Sequence, residues 1–135
     1  MTMFVDASAI VAILNREPEA DAFADAIEAS GAAVTSGIAV FEAALGLCRT
    51  RHASVEEATA DVEEFLSIAG VACAAITLEE TRTALIAFAR YGKGRGHPAQ
   101  LTLGDCFAYA VARNRGLPLL FKGNDFTGTD IEPAV

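Results

Sequence analysis

Three carboxylates stand alone in apolar sequence. Asp6 closes the run Met3-Phe4-Val5 and is the only charged side chain before Arg16. Glu42 lies within Ile38-Ala39-Val40-Phe41-Glu42-Ala43-Ala44-Leu45, with no other charged side chain between Glu28 and Arg49. Asp105 repeats the pattern in Leu101-Thr102-Leu103-Gly104-Asp105-Cys106-Phe107-Ala108-Tyr109, alone between Arg95 and Arg113. A lone carboxylate is costly to bury without a hydrogen-bonding or cationic partner. Each has a structural explanation of its own: Asp105 paired with Arg113 or Lys122, Asp6 with a nearby backbone N–H. Three in the same kind of setting point instead to one shared site. Carboxylates crowded into a poorly hydrated cleft repel one another unless a cation holds them. Oxygen donors with no His or Cys at ligand spacing favour Mg2+ or Mn2+ over zinc. The chemistry that follows is metal-assisted hydrolysis of a phosphodiester. Asp125, in Gly123-Asn124-Asp125-Phe126, is a fourth candidate ligand in a sequence that also forms turns. Asn124 competes with it for the role. Ser8 either supports the site by hydrogen bonding or caps the first helix, and the two roles are compatible.

The elements that must position these acids follow from pattern. Phe4-Val5 reads as a short buried strand and Ala7 to Leu14 as a helix entered from a turn at Ser8. Pro18 suits the first turn of a second helix running to about Ala29, with Gly31 as its stop. Ala32 to Val34 is a second strand, and Thr35 or Ser36 supplies a capping hydroxyl for a long helix to about His52. Ser54 with Glu57, and Thr77 with Glu80, have capping-box spacing; they open helices to about Ala69 and about Tyr91. Between these lies a β-branched run, Val71 to Ile76, the third strand. Leu101 to Arg115 is the last long helix, ended by Gly116, and Leu117 to Phe121 is the fourth strand, with Ile131 on a frayed fifth edge. Strands alternating with helices predict a three-layer α/β fold with a mostly parallel sheet of four to five short strands. In such a sheet the strand C-termini and helix N-termini meet along one edge, where Asp6, Glu42 and Asp105 can share a pocket.

Composition narrows the class. The 135 residues form one domain, 1–135, with 53% hydrophobic and 21% charged residues, which excludes disorder. No apolar run approaches the roughly 20 residues of a membrane span, and no signal-peptide pattern opens the chain, so a cytoplasmic setting is expected. Cys48, Cys73 and Cys106 are odd in number and embedded in apolar sequence, as buried thiols in a reducing compartment are. The net charge of −8 opposes general affinity for nucleic acid, so any phosphate contact must be local. Lys93 and Arg95, in the glycine-rich loop Gly92 to Pro98, are candidates for that contact, since the backbone there can approach a phosphate closely. A solvated surface loop explains them equally. His97, before Pro98, reads as structural.

Phe4-Val5-Asp6-Ala7-Ser8-Ala9, the lone Glu42, Gly104-Asp105-Cys106-Phe107-Ala108-Tyr109-Ala110 and Leu117 to Phe126 together resemble a PIN-domain ribonuclease of the VapC toxin type, across the whole chain and in order. The resemblance implies a Mg2+- or Mn2+-dependent endoribonuclease that cuts structured RNA such as tRNA or ribosomal RNA. It also implies inhibition by a VapB-type antitoxin and a homodimer. Asp6, Glu42 and Asp105 match the family's three acids; the fourth position falls on Asn124 or Asp125. The stripe Phe23, Ile27, Val62, Phe65 and Leu66 on two amphipathic helices fits either a groove for a partner's helix or core packing. Alternatives remain: a non-catalytic PIN-like binding module, a phosphotransfer receiver or a phosphatase, the last opposed by Ser8 where a second Asp is usual.

Overall fold

The computed structural model describes residues 2–135. The elements run β1 (Phe4–Val5), α1 (Ala7–Leu14), α2 (Ala20–Ser30), β2 (Val34–Ser36), α3 (Gly37–Arg51), α4 (Val55–Ala69), β3 (Ala72–Ala74), α5 (Leu78–Tyr91), α6 (Leu103–Asn114) and β4 (Leu119–Leu120). The four strands lie in the order β3-β2-β1-β4 and every pairing is parallel. Phe4 sits opposite both Val34 and Leu119, so β1 is central. Its two residues are fully buried, as expected where helices cover both faces of a parallel sheet. The core runs through Phe4, Val5, Ile10, Leu47, Val62, Leu101, Val111, Leu119 and Leu120.

Local signals fix the helix starts. Ser54 with Glu57 and Thr77 with Glu80 form complete capping boxes. Ser36 caps α3 by accepting from Ala39 N–H at 3.2 Å. The neighbouring Thr35 instead donates to Val5 O at 2.8 Å, tying β2 to β1.

Several boundaries differ from the pattern reading. The second strand is Val34–Ser36, displaced toward the hydroxyl residues, because both hydroxyls are satisfied inside the fold. Pro18 and Glu19 form a turn, and α2 begins at Ala20. The third strand shrinks to Ala72–Ala74. The last helix starts at Leu103, because Thr102 caps it and Leu101 pairs with Gly92. The fourth strand keeps only Leu119–Leu120: Leu117 N–H closes the end of α6 on Ala112 O, while Phe121 turns to pack its ring on Phe126. The fifth edge is one bridge, Leu119 to Pro133, rather than a strand at Ile131. Among the cysteines, Cys106 is buried and Cys48 half-buried, whereas Cys73 is exposed on the edge strand, contrary to its apolar setting in sequence. Among the described residues, no helix is long and apolar enough to cross a membrane.

Candidate active site

Asp6 is the first residue past β1. Its backbone N–H donates to Leu120 O at 3.0 Å, which fixes it to the end of the neighbouring strand. It caps α1: Oδ2 accepts from Ser8 N–H at 3.0 Å and from the Ser8 hydroxyl at 2.6 Å. The same hydroxyl accepts from Lys122 N–H at 3.0 Å, so the segment just after β4 holds Ser8 and Ser8 holds Asp6. The other oxygen, Oδ1, is buried without a hydrogen-bond partner. Burial raises the Asp6 pKa to about 6, against the Ser8 hydrogen bonds, and Asp105 adds repulsion.

Glu42 reaches the same place from α3. Burial raises its pKa to about 7, and the charges of Asp6 and Asp105 push the same way while Arg49 opposes them. Asp105 is the third residue of α6 and completes a capping box with Thr102, accepting from its N–H at 3.0 Å. Burial raises its pKa, Thr102 hydrogen bonds oppose the rise, and Asp125 adds to it. The cations proposed as its partners are engaged elsewhere: Arg113 pairs with Asp130 at 3.1 Å, and the Lys122 ammonium pairs with Glu17 and, at 3.5 Å, Glu19.

One open basin of about 430 Å³ is lined by Asp6, Ser8, Glu42, Asp105 and Asp125, with Arg49, Lys122 and Glu17 also on its wall. Asn124 is not on that wall; its carbonyl accepts from the Thr127 hydroxyl at 2.8 Å in the turn after β4. Lys93 and Arg95 are exposed, lie in the loop pinned by Lys93 N–H to Leu101 O, and are not among the lining residues. His97 is structural: its Nδ1 accepts from Ala99 N–H at 3.0 Å and its ring meets Tyr91 edge-on at 4.9 Å. Arg49 lines the basin although the sequence analysis gave it no role. Its signal was present, since it follows Glu42 by two helical turns and so shares that face of α3.

The lining suits a hard cation. Its candidate ligands are carboxylate and hydroxyl oxygens, with no His or Cys on the wall. The unpartnered Asp6 Oδ1 supplies a free donor atom in a place where an uncompensated charge is costly. Among the described residues, no three His, Cys, Asp or Glu side chains stand close enough together to hold a metal ion between them.

Outside the basin, two further surfaces stand out. Between α2 and α4 a groove of about 480 Å³ is lined by Ala24, Ile27, Phe65, Ile68 and Ala69, with Glu28 at its side. Of the stripe expected there, Phe23, Ile27 and Val62 are core residues, while Phe65 and Leu66 are partly buried. Ile68, outside that stripe, is 79% exposed. The second surface is an apolar hollow between α5 and α6, where exposed Leu85 and Leu103 meet Phe88 and Phe107; Phe41 of α3 and Ile86 of α5 are exposed as well.

Comparison with known proteins places this geometry in context. The PIN domain profile matches residues 3–132. A VapC ribonuclease of Rhizobium meliloti (strain 1021) is 42% identical, covering 95% of this chain and 98% of the relative. Ribonuclease VapC42 of Mycobacterium tuberculosis is 39% identical over 98% of both chains. In three dimensions the chain is similar to the crystal structure of Mycobacterium tuberculosis VapC20, described as a sarcin-ricin loop cleaving toxin. That match has a TM-score of 0.73 and 18% identity, covering 96% of this chain and 95% of the other.

Proposed function

The chain belongs to the PIN-domain family, and from that premise we propose that it is a VapC-type toxin. It acts as an endoribonuclease, hydrolysing phosphodiester bonds in structured RNA, tRNA or ribosomal RNA, at a basin loaded with Mg2+ or Mn2+. The observation that carries the proposal is the convergence of Asp6, Glu42, Asp105 and Asp125 on one wall without a matching set of cations. The ribonuclease names of relatives near 40% identity support the activity.

Asp6, Glu42 and Asp105 are the residues that would hold the ion, with Asp125 at the rim. When bound, the ion supplies Lewis acidity and positive charge for attack on a phosphodiester. Ser8 restrains Asp6 by engaging Oδ2 and leaves Oδ1 for the basin. Arg49, on the wall and without a carboxylate partner within ion-pair distance among the described residues, is placed to receive a phosphate oxygen. Lys122 is held by Glu17 and Glu19, so its role at the wall is structural. Lys93 and Arg95 contact RNA backbone beyond the basin. These local cations answer the objection raised by the net charge of −8.

The partners follow the same reading. A VapB-type antitoxin docks an apolar segment in the α2/α4 groove, where exposed Ile68 offers a contact. A homodimer covers Phe41, Leu85, Ile86 and Leu103; light scattering that finds only monomer would remove it. The test of the activity is RNA cleavage with Mg2+ and with chelator by the wild type, Asp6→Asn, Glu42→Gln and Asp105→Asn. Each variant is expected to be folded and inactive. Full Mg2+-dependent activity in any of them refutes the site.

A further inference from the structure

Gly104 is the second residue of α6, and its φ is not positive, so the conformational freedom of glycine is not what this position uses. Glycine is also a poor helix former compared with alanine. The reason for it is steric. A Cβ built on Gly104 would stand 2.0 Å from both Glu42 carboxylate oxygens and 2.1 Å from Glu42 Cδ. No other glycine of the chain is approached so closely. At Gly46, also in a helix, the nearest atom would be a Val11 methyl at 2.9 Å. The Glu42 carboxylate therefore lies on the bare Cα of the residue next to Asp105, in the volume that any side chain at 104 would fill.

We propose that Gly104 is a positioning residue, whose missing side chain seats the Glu42 carboxylate beside Asp105 at the wall of the basin. The functional part of this inference rests on the reading of Asp6, Glu42 and Asp105 as one site; the steric part does not. The obstructed atoms are the far end of a flexible side chain, so the fold accommodates a methyl group at 104 by moving Glu42 and little else. The fold survives and the seat is lost.

Two measurements on the full chain decide it. In thermal melts without added metal, Gly104→Ala in a Glu42→Ala background raises the melting temperature by a few degrees, as a better helix former does. In the wild-type background the same substitution gains less or nothing. Equal gains in both backgrounds overturn the seat, whatever the protein does to RNA. In Mn2+ titrations, Gly104→Ala weakens binding by roughly 10- to 100-fold. Gly104→Ala combined with Glu42→Asp binds more tightly than Gly104→Ala alone, because the shorter side chain clears the new methyl. Unchanged Mn2+ affinity in Gly104→Ala overturns the positioning role. A wild type that neither binds Mn2+ nor cuts RNA instead overturns the reading of the site and the functional part with it, while the melts still decide the steric claim.

Discussion

Asp6 and Glu80 are both carboxylates and both almost fully buried, 4% and 3% exposed, yet the fold treats them in opposite ways. Glu80 is matched on every side. Arg115 donates to it through Nε at 2.7 Å and Nη2 at 3.2 Å, and Thr77 N–H donates at 3.0 Å. Arg115 also reaches Ala75 O at 2.8 Å, so the pair ties the end of β3 and the start of α5 to the end of α6. The Arg115 hydrogen bonds hold the Glu80 pKa below the ordinary carboxylate range. Asp6 has Ser8 on one oxygen and nothing on the other, and burial pushes its pKa up. The fold can neutralise a buried acid where the acid is structural. In the basin it leaves three acids without such a match, and that difference supports the proposed binding site there.

The comparison breaks most sharply at the level of activity. Asp6→Asn is expected to lower RNA cleavage by about a hundredfold or more while the protein stays folded. Arg115→Ala is expected to do the reverse: destabilisation by roughly 2–4 kcal/mol, read from denaturant melts, because it strands the buried Glu80 charge. Cleavage per folded molecule should be unchanged. If Asp6→Asn unfolds the protein and Arg115→Ala silences it, the two roles have been exchanged.

Protonation sharpens the same contrast. Folded Asp6, up from 3.8 to about 6, and folded Glu42, up from 4.5 to about 7, keep protons that the unfolded chain has already released. Metal-free stability from this region is therefore lost as pH rises from about 4 to about 7. Glu80 has the opposite sign: its contribution is present above the unfolded carboxylate pKa and disappears as pH falls through its lower folded value. Melting temperature in chelator should therefore fall as pH rises from about 4 to about 7, with a loss of stability on the order of several kcal/mol. Asp6→Asn should flatten that fall. The smallest effect belongs to the rim: Arg49→Ala should raise KM for RNA several-fold at low salt, with little change in stability. The Lys93 and Arg95 alanine variants should do less, as neither residue lines the basin.

What could be read from the chain divides by distance in sequence. The capping boxes at Ser54 and Thr77 are four-residue signals, and both are present. The isolation of Asp6, Glu42 and Asp105 was visible because burial in apolar sequence is itself local information, and the parallel topology then brings them to one basin. Strand limits were overestimated because strands of two or three residues buried on both faces show no alternation to count. The Thr102–Asp105 box carries Asp where Glu or Gln is usual, and a helix read from Leu101 puts both residues inside the element; Asp105 caps α6 and faces the basin at once. Glu80 meeting Arg115 spans 35 positions, and no short pattern announces it. Lys93 and Arg95 have the right composition for phosphate contact, and the Gly92–Leu101 bridge anchors their loop, yet neither side chain is among those that line the basin.

The central claim is that the unmatched carboxylates exist to bind a divalent ion for RNA cleavage, and it is tested most directly by following the cutting of a structured RNA across a Mg2+ titration for wild type and Asp6→Asn side by side. The account predicts Mg2+-dependent cleavage by the wild type, abolished by chelator, and none by the folded variant. Cleavage by Asp6→Asn with the wild-type Mg2+ dependence would contradict it.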